Sequence, residues 1–296
     1  MSIKRTYDII HFLFKNRVEL YNFFRELYKK ERIENFIKKE KRDKHLMVLV
    51  NGPSLNDSLD EIIEKKEYEK NDIVVVNFMP NDNRFYIIKP QYIIISDPMF
   101  YDKPAQKERV EEFFFNINKN ISWDVTLFTP YAYFQDEKWR KSHFTNSRVK
   151  ITPIHQVEPP KDRDDLACIL AKRGLMGADF GSVLHHCIYI GMLLGYEKIY
   201  LYGADHNFFD GLCVNDNNQV CRKTLHFYET DSPVTPLYHY YSGKKEPYTM
   251  SFFMLEYSRI FRGHLTLRRI ADYLNVKIVN RTPQSMIDCY EREHLN

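Results

Sequence analysis

The sequence predicts an α/β protein: a Rossmann-type, mostly parallel sheet with helices on both faces, an N-terminal helical arm and a lid segment. Three observations carry this prediction. Short continuous apolar runs alternate with longer segments of helical periodicity, and such runs suit strands covered on both faces. The run Leu46-Met47-Val48-Leu49-Val50 passes directly into the turn Asn51-Gly52-Pro53-Ser54, with a helix-compatible segment behind it. That order turns backbone N–H groups toward an anion at a helix N-terminus. A second block, from Gly195 to Asp205, reads as a helix end, a buried strand and another small-residue turn, Gly203-Ala204-Asp205.

Taken in order, residues 1–44 form a basic amphipathic arm. Ile9, Phe12, Leu13, Val18, Leu20, Phe24 and Leu27 recur at helical spacing, and Lys and Arg fill the opposite face. Across residues 1–46 there are 13 Lys/Arg against 7 Asp/Glu. Such an arm suits the surface of an anionic membrane, and packing on the body or on a partner subunit suits it equally. A Rossmann-like domain is expected over 45–296. Its strands are expected at 46–50, 73–77, 92–96, 125–128, 149–152, 198–202 and 276–279, and its helices at 57–67, 104–119, 180–194 and 250–274. Residues 204–249 mix Asn, Asp, Pro, Gly, His and Tyr without sustained periodicity, which predicts a lid over the site.

Composition narrows the function. With 43 Lys/Arg against 40 Asp/Glu the net charge is +3, too balanced for the basic field of a nucleic-acid binder. No run approaches the roughly 18 apolar residues of a membrane span. The N-terminus also lacks a signal-peptide pattern. The five cysteines form no C-x-x-C pair and read as reduced thiols of a cytoplasmic protein, peripheral at the inner face of the cell membrane if the arm binds there.

Three expected strands end in a polar residue at the carboxyl edge: Asn51, Asn77 and Asp97. Ligands of open parallel sheets bind outside those ends. Asn both donates and accepts hydrogen bonds, which suits a base edge or ribose hydroxyl, whereas an ionised Asp97 only accepts. Gly181 and Ser182 open the 180–194 helix, where Ser182 suits either a helix cap or a ligand phosphate. His206, His226, His239 and His264 lie in or beside the lid, and neutral imidazoles suit deprotonation of an attacking hydroxyl. Tyr228 and the tyrosines near residue 240 suit hydrogen bonding to a departing phosphate, so no metal and no cofactor are expected. His185 and His186, adjacent within one helix, project about 100° apart and are read as structural.

The blocks Asn51-Gly52-Pro53-Ser54-Leu55, the strand ending in Asn77, Ile95-Ser96-Asp97-Pro98 and Gly195–Asp205 resemble bacterial sialyltransferases of glycosyltransferase family 42. They also resemble the N-G-P-S-L proteins of polysaccharide gene clusters and the 6-hydroxymethylpterin diphosphokinase-like proteins. The resemblance implies a CMP-activated donor, sialic acid-like or Kdo-like, bound by Asn51, Gly52, Pro53, Ser54 and Asn77. Asp97, Gly181, Ser182, Gly203 and Tyr228 would complete the donor site. It implies inverting transfer to a cell-surface glycan or glycolipid acceptor, with Asp205 in the site and a base among His226, His264 and His239. The alternatives are a pterin phosphotransferase and a non-catalytic sugar-nucleotide-binding subunit, and a homo-oligomer is compatible with each.

Overall fold

The computed structural model describes residues 42–101, 106–155, 164–224, 226–228, 233–241 and 244–293, together with seven helical positions between 6 and 21. The rest of the expected arm lies outside the described residues. The apolar runs become strands β1 (Leu46–Leu49), β2 (Asp72–Val76), β3 (Tyr92–Ile94), β4 (Val125–Pro130), β5 (Val149–Ile154) and β6 (Lys198–Tyr202). Five short strands follow: β7 (Cys213–Val214), β8 (Val220–Lys223), β9 (Val234–Pro236), β10 (Tyr238–Tyr241) and β11 (Lys244–Pro247). β12 (Lys277–Asn280) and β13 (Glu291–Arg292) close the order.

Eight of these strands form one sheet in the order β13-β12-β6-β1-β2-β3-β4-β5, and every pairing in it is parallel. From β1 the chain steps outward to β5, then returns to lay β6 on the other side of β1. The connections leaving β1 and β6 therefore diverge, and a crevice opens between them at the carboxyl edge.

Alternation along the strands builds two cores. Leu46, Val48 and Val50 face a cluster with Ala171 of α3 (Asp164–Lys172), Leu184 and Ile188 of α4 (Val183–Leu194), and Leu267 and Ile270 of α5 (Met250–Leu274). Met47 and Leu49 face the opposite cluster, with Leu55, Leu59 and Ile62 of α1 (Leu55–Glu64) and Phe113 and Ile117 of α2 (Lys107–Lys119). These apolar faces recur at helical spacing, which is why the segments are helices and why they pack where they do. Ser182 caps α4 through Leu184 N–H at 3.3 Å, and Gly195 ends it with a left-handed φ of 95°. Thr249 caps α5 through Phe252 N–H at 3.1 Å.

The 204–249 segment departs from the expected irregular loop. It holds a three-stranded antiparallel sheet, β7-β8-β9, and the hairpin β10-β11. These strands are two to four residues long, too short for a period-2 pattern to stand out in sequence. Val220 and Leu237 pack them against Phe253, Tyr257 and Ile260 of α5.

Candidate functional site

The first turn of the site is locked to the second by close backbone approach. Val50 N–H donates to Tyr202 O and Gly52 N–H to Gly203 O, both at 3.0 Å. A Cβ on Gly52 would lie 1.9 Å from Asp205 Oδ2 and 2.3 Å from Gly203 O, so only glycine fits there. Gly203, with φ of 66°, would press its own Cβ to 2.1 Å from Val50 O. Ser54 Oγ donates to Asp205 Oδ2 at 2.8 Å and Ser54 N–H to Oδ1 at 3.3 Å. Asp205 thus satisfies donors at the start of α1 and joins the β1 and β6 turns. Burial raises its pKa, against the lowering effect of Ser54.

Between these turns lies a pocket of about 270 Å³. Its floor is Val50, Asn51, Gly52, Pro53, Val76, Asn77 and Asp97, from the ends of β1, β2 and β3, and Gly203, Asp205 and His206 from the end of β6. The β1–β2 register sets Leu49 opposite Val75, so Asn51 and Asn77 stand level at the sheet edge. Both amide oxygens are buried, with no hydrogen-bond partner among the described residues. Asn77 sits at a φ of 47°, a left-handed conformation that Asn tolerates better than most residues. Asp97 Oδ1 accepts from Met99 N–H at 3.0 Å, and burial raises the pKa of its carboxyl group.

The 204–249 segment supplies the opposite wall: Phe208, Arg222, Lys223, Thr224, His226 and Tyr228. It is anchored to the sheet by Phe227 N–H, which donates to Asn51 O at 3.2 Å, and by Asn56 Nδ2, which donates to Phe227 O. The Arg109 guanidinium covers the Tyr228 ring at 3.7 Å, with Phe78 at 4.5 Å, while His226 stacks on Tyr228 at 5.1 Å. Arg222 lies over Tyr257 and Phe208 at 5.2 and 5.5 Å, and its buried Nε has no partner among the described residues. Sequence reasoning missed Arg222, Lys223 and Arg109, whose signal was a basic pair inside a polar loop and one Arg in an amphipathic helix.

Of the expected site residues, the fold brings Asn51, Gly52, Pro53, Asn77, Asp97, Ser182, Gly203, Asp205, His226 and Tyr228 to this pocket. Ser54 stands behind the wall, bonded to Asp205. Gly181, with φ of 88°, lies against Ile260. His239 stacks on Phe252 at 4.2 Å, away from the pocket wall. His264 is buried behind His206, with the two Nε2 atoms 2.9 Å apart. His185, read as structural, tilts against His264 with ring centroids 4.3 Å apart. Asp162 and Asp164 have the D-x-D spacing of a divalent-metal handle; Asp164 does not line this pocket, since it accepts from Thr266 and pairs with Arg269, and Asp162 is outside the described residues.

No protein-family profile and no curated protein sequence matches this chain. Among solved structures, it is similar to the MAf glycosyltransferase from Magnetospirillum magneticum AMB-1, at 12% identity and a TM-score of 0.39. The match covers 86% of this chain and 35% of that one. This chain therefore spans about a third of that protein's length. Among the described residues, no helix is long and apolar enough to cross a membrane.

Proposed function

We propose that the chain is a glycosyltransferase that moves a sialic acid-like or Kdo-like sugar from a CMP-activated donor to a cell-surface glycan acceptor, by a metal-independent inverting displacement. The observation that carries this reading is the pair of buried, unpartnered amide oxygens of Asn51 and Asn77, level with one another at the topological switch point. A buried acceptor without a donor costs about 1–3 kcal/mol. A ligand presenting two donors, such as a base amine and a ribose hydroxyl, removes that cost. The lid wall supports the rest of the proposal. Arg222 and Lys223 carry positive charge into the pocket, and Tyr228 beneath Arg109 adds a hydroxyl. Together they neutralise charge developing on a leaving phosphate, the task a divalent cation performs elsewhere.

In the displacement, the acceptor oxygen attacks the anomeric carbon as its proton passes to a base at the pocket wall. The bond from that carbon to the phosphate oxygen breaks, and its electron pair leaves with CMP. The basic arm would hold the enzyme at the inner membrane face, where glycolipid acceptors lie.

A thermal-shift and calorimetric panel of CMP, CDP, UDP, GDP and ATP, with and without magnesium, tests the reading. Stabilisation by CMP in EDTA is expected, about 2.7 kcal/mol at a hundred times the dissociation constant. Dependence on magnesium with a preference for ATP would refute it in favour of phosphoryl transfer.

A further inference from the structure

Behind the pocket wall, a line of hydrogen bonds couples the proton position on His206 to those on His264 and Tyr290. Tyr290 OH lies 3.3 Å from the carbonyl oxygen of His264 and also meets the Cys289 side chain, and a phenol proton given to either leaves the oxygen's lone pairs for His264 Nδ1. Tyr290 OH lies 3.1 Å from His264 Nδ1 and, with its proton committed, accepts; Nδ1 therefore bears hydrogen. A neutral His264 then has a bare Nε2, 2.9 Å from His206 Nε2. Two bare nitrogens would repel at that distance, so His206 Nε2 carries hydrogen and donates. His206 Nδ1 is left as a lone pair, with no partner among the described residues, on a ring that lines the pocket.

We infer that His206 is the proton acceptor of the proposed transfer, with Nδ1 as its basic atom, and that His264 and Tyr290 are positioning residues holding it in that tautomer. This rests on the glycosyltransferase reading. The acceptor hydroxyl proton moves to His206 Nδ1 as the oxygen–carbon bond forms and the carbon–phosphate oxygen bond breaks, its electron pair leaving with the phosphate. The resulting imidazolium keeps Nε2–H against the His264 lone pair, and the donor's phosphate supplies the counter-charge.

The groups around His206 are consistent with a neutral resting ring. His264 from α5 and His185 from α4 pack behind it, Asp205 precedes it in the β6 turn, and Arg222 of β8 stacks across Phe208. Burial lowers the pKa of all three histidines, that of His206 to about 3. Burial thus keeps all three rings uncharged at rest, and the same burial opposes protonation of His206, so the transfer requires the donor's phosphate beside the ring to raise its basicity. The backbone agrees: His206 takes a φ of 52°, an uncommon conformation of the kind found where a side chain is held for a task.

The test pairs a spectroscopic measurement with kinetics. Two-bond 15N–1H spectra of histidine-labelled wild type should report hydrogen on Nδ1 of His264 and on Nε2 of His206. Hydrogen on Nε2 of His264 would overturn the inference without reference to any activity. His206→Gln should lower kcat about a hundredfold or more, with CMP affinity within threefold of wild type. Retention of kcat within fivefold would overturn the inference. Tyr290→Phe removes the group that accepts His264 Nδ1–H. It should move hydrogen to Nε2 of His264 and to Nδ1 of His206, and lower kcat with KM unchanged, which a packing defect would not do. If the wild type turns over no CMP-sugar while both tautomers are as stated, the glycosyltransferase reading and the proton-acceptor role fall together and the tautomer assignment alone stands.

Discussion

Replacing Gly52 by Ala tests the interlock of the two turns. The added methyl would lie 2.3 Å from Gly203 O and 1.9 Å from Asp205 Oδ2. Asp205 could swing aside only by giving up Ser54 Oγ and N–H. The Gly203 carbonyl cannot move without breaking its bond from Gly52 N–H. Overpacking of this kind costs about 1–3 kcal/mol, and losing a hydrogen bond to a buried carboxylate costs about 1.5–3 kcal/mol. The expected loss is thus about 3–6 kcal/mol, a fall in Tm of about 5–10 °C for a chain of this size. Chemical denaturation read by circular dichroism measures it, with Gly191→Ala as the comparison. There the new methyl meets only the side-chain ends of Leu46 and Ile199, at 2.7 and 2.9 Å, and the gain in helix propensity offsets part of the cost. A Gly52→Ala protein within about 1 kcal/mol of wild type, or no less stable than Gly191→Ala, would refute the claim that the turns are held by backbone contact.

Three further outcomes are expected. Arg222→Gln should weaken donor binding about 10- to 100-fold by calorimetry, the value of a charge-assisted hydrogen bond, with little change in Tm; unchanged affinity would remove Arg222 from the phosphate subsite. Asn77→Gly keeps the left-handed backbone and deletes the amide, so CMP affinity should fall about three- to tenfold without loss of stability. The rings of His185, His186, His206 and His264 have pKa values lowered by burial. Their stabilisation is therefore present above the unfolded value of 6.5 and lost as pH falls below it. At pH 5.5 each contributes a loss of about 1.4 kcal/mol, so unfolding titrations should show stability dropping by about 5–6 kcal/mol between pH 7.5 and 5.5, and a flat profile would contradict burial of neutral histidines.

What the sequence disclosed depended on how local each signal was. The β1 strand and its N-G-P-S turn were legible because a buried parallel strand is a continuous apolar run and its exit is a cluster of turn-formers. α5 was legible over its whole length, 250–274, because the apolar spacing persists for 25 residues. α4 was expected from residue 180 and begins at Val183, because Ser182 is spent as its cap. The pocket's positive wall was not legible. Arg222 reaches the site only because β8 pairs with β7 and β9 and folds back over α5, and pairing between strands of two to four residues leaves no local trace. The same holds for the histidines. His206 and His264 lie 58 positions apart, and only the packing of α5 against the β6 exit brings their Nε2 atoms into contact.

The backbone supplies a final line of argument that joins the two halves of the pocket. Most non-glycine residues with positive φ in this chain sit at helix or turn ends, such as Lys66, Lys89 and Asn275, where a left-handed residue reverses the chain. Asn77 has a positive φ directly after β2, and His206 has one beyond the Gly203-Ala204-Asp205 turn that follows β6, both at the floor of the pocket. A left-handed residue costs about 1 kcal/mol or more outside glycine. At Asn77 an extended backbone would continue β2 and send the next side chains to the helix layers. The left-handed turn instead carries one amide and one imidazole to the edge of the crevice, from β2 and from β6, on opposite sides of β1. The Asn77 oxygen has no hydrogen-bond partner among the described residues, so the left-handed turn carries to the crevice an acceptor that a ligand donor would satisfy. On the proposed reading, a nucleotide seated on Asn51 and Asn77 shares one pocket with Arg222 and His206, which links CMP binding to the proton-accepting role inferred for His206.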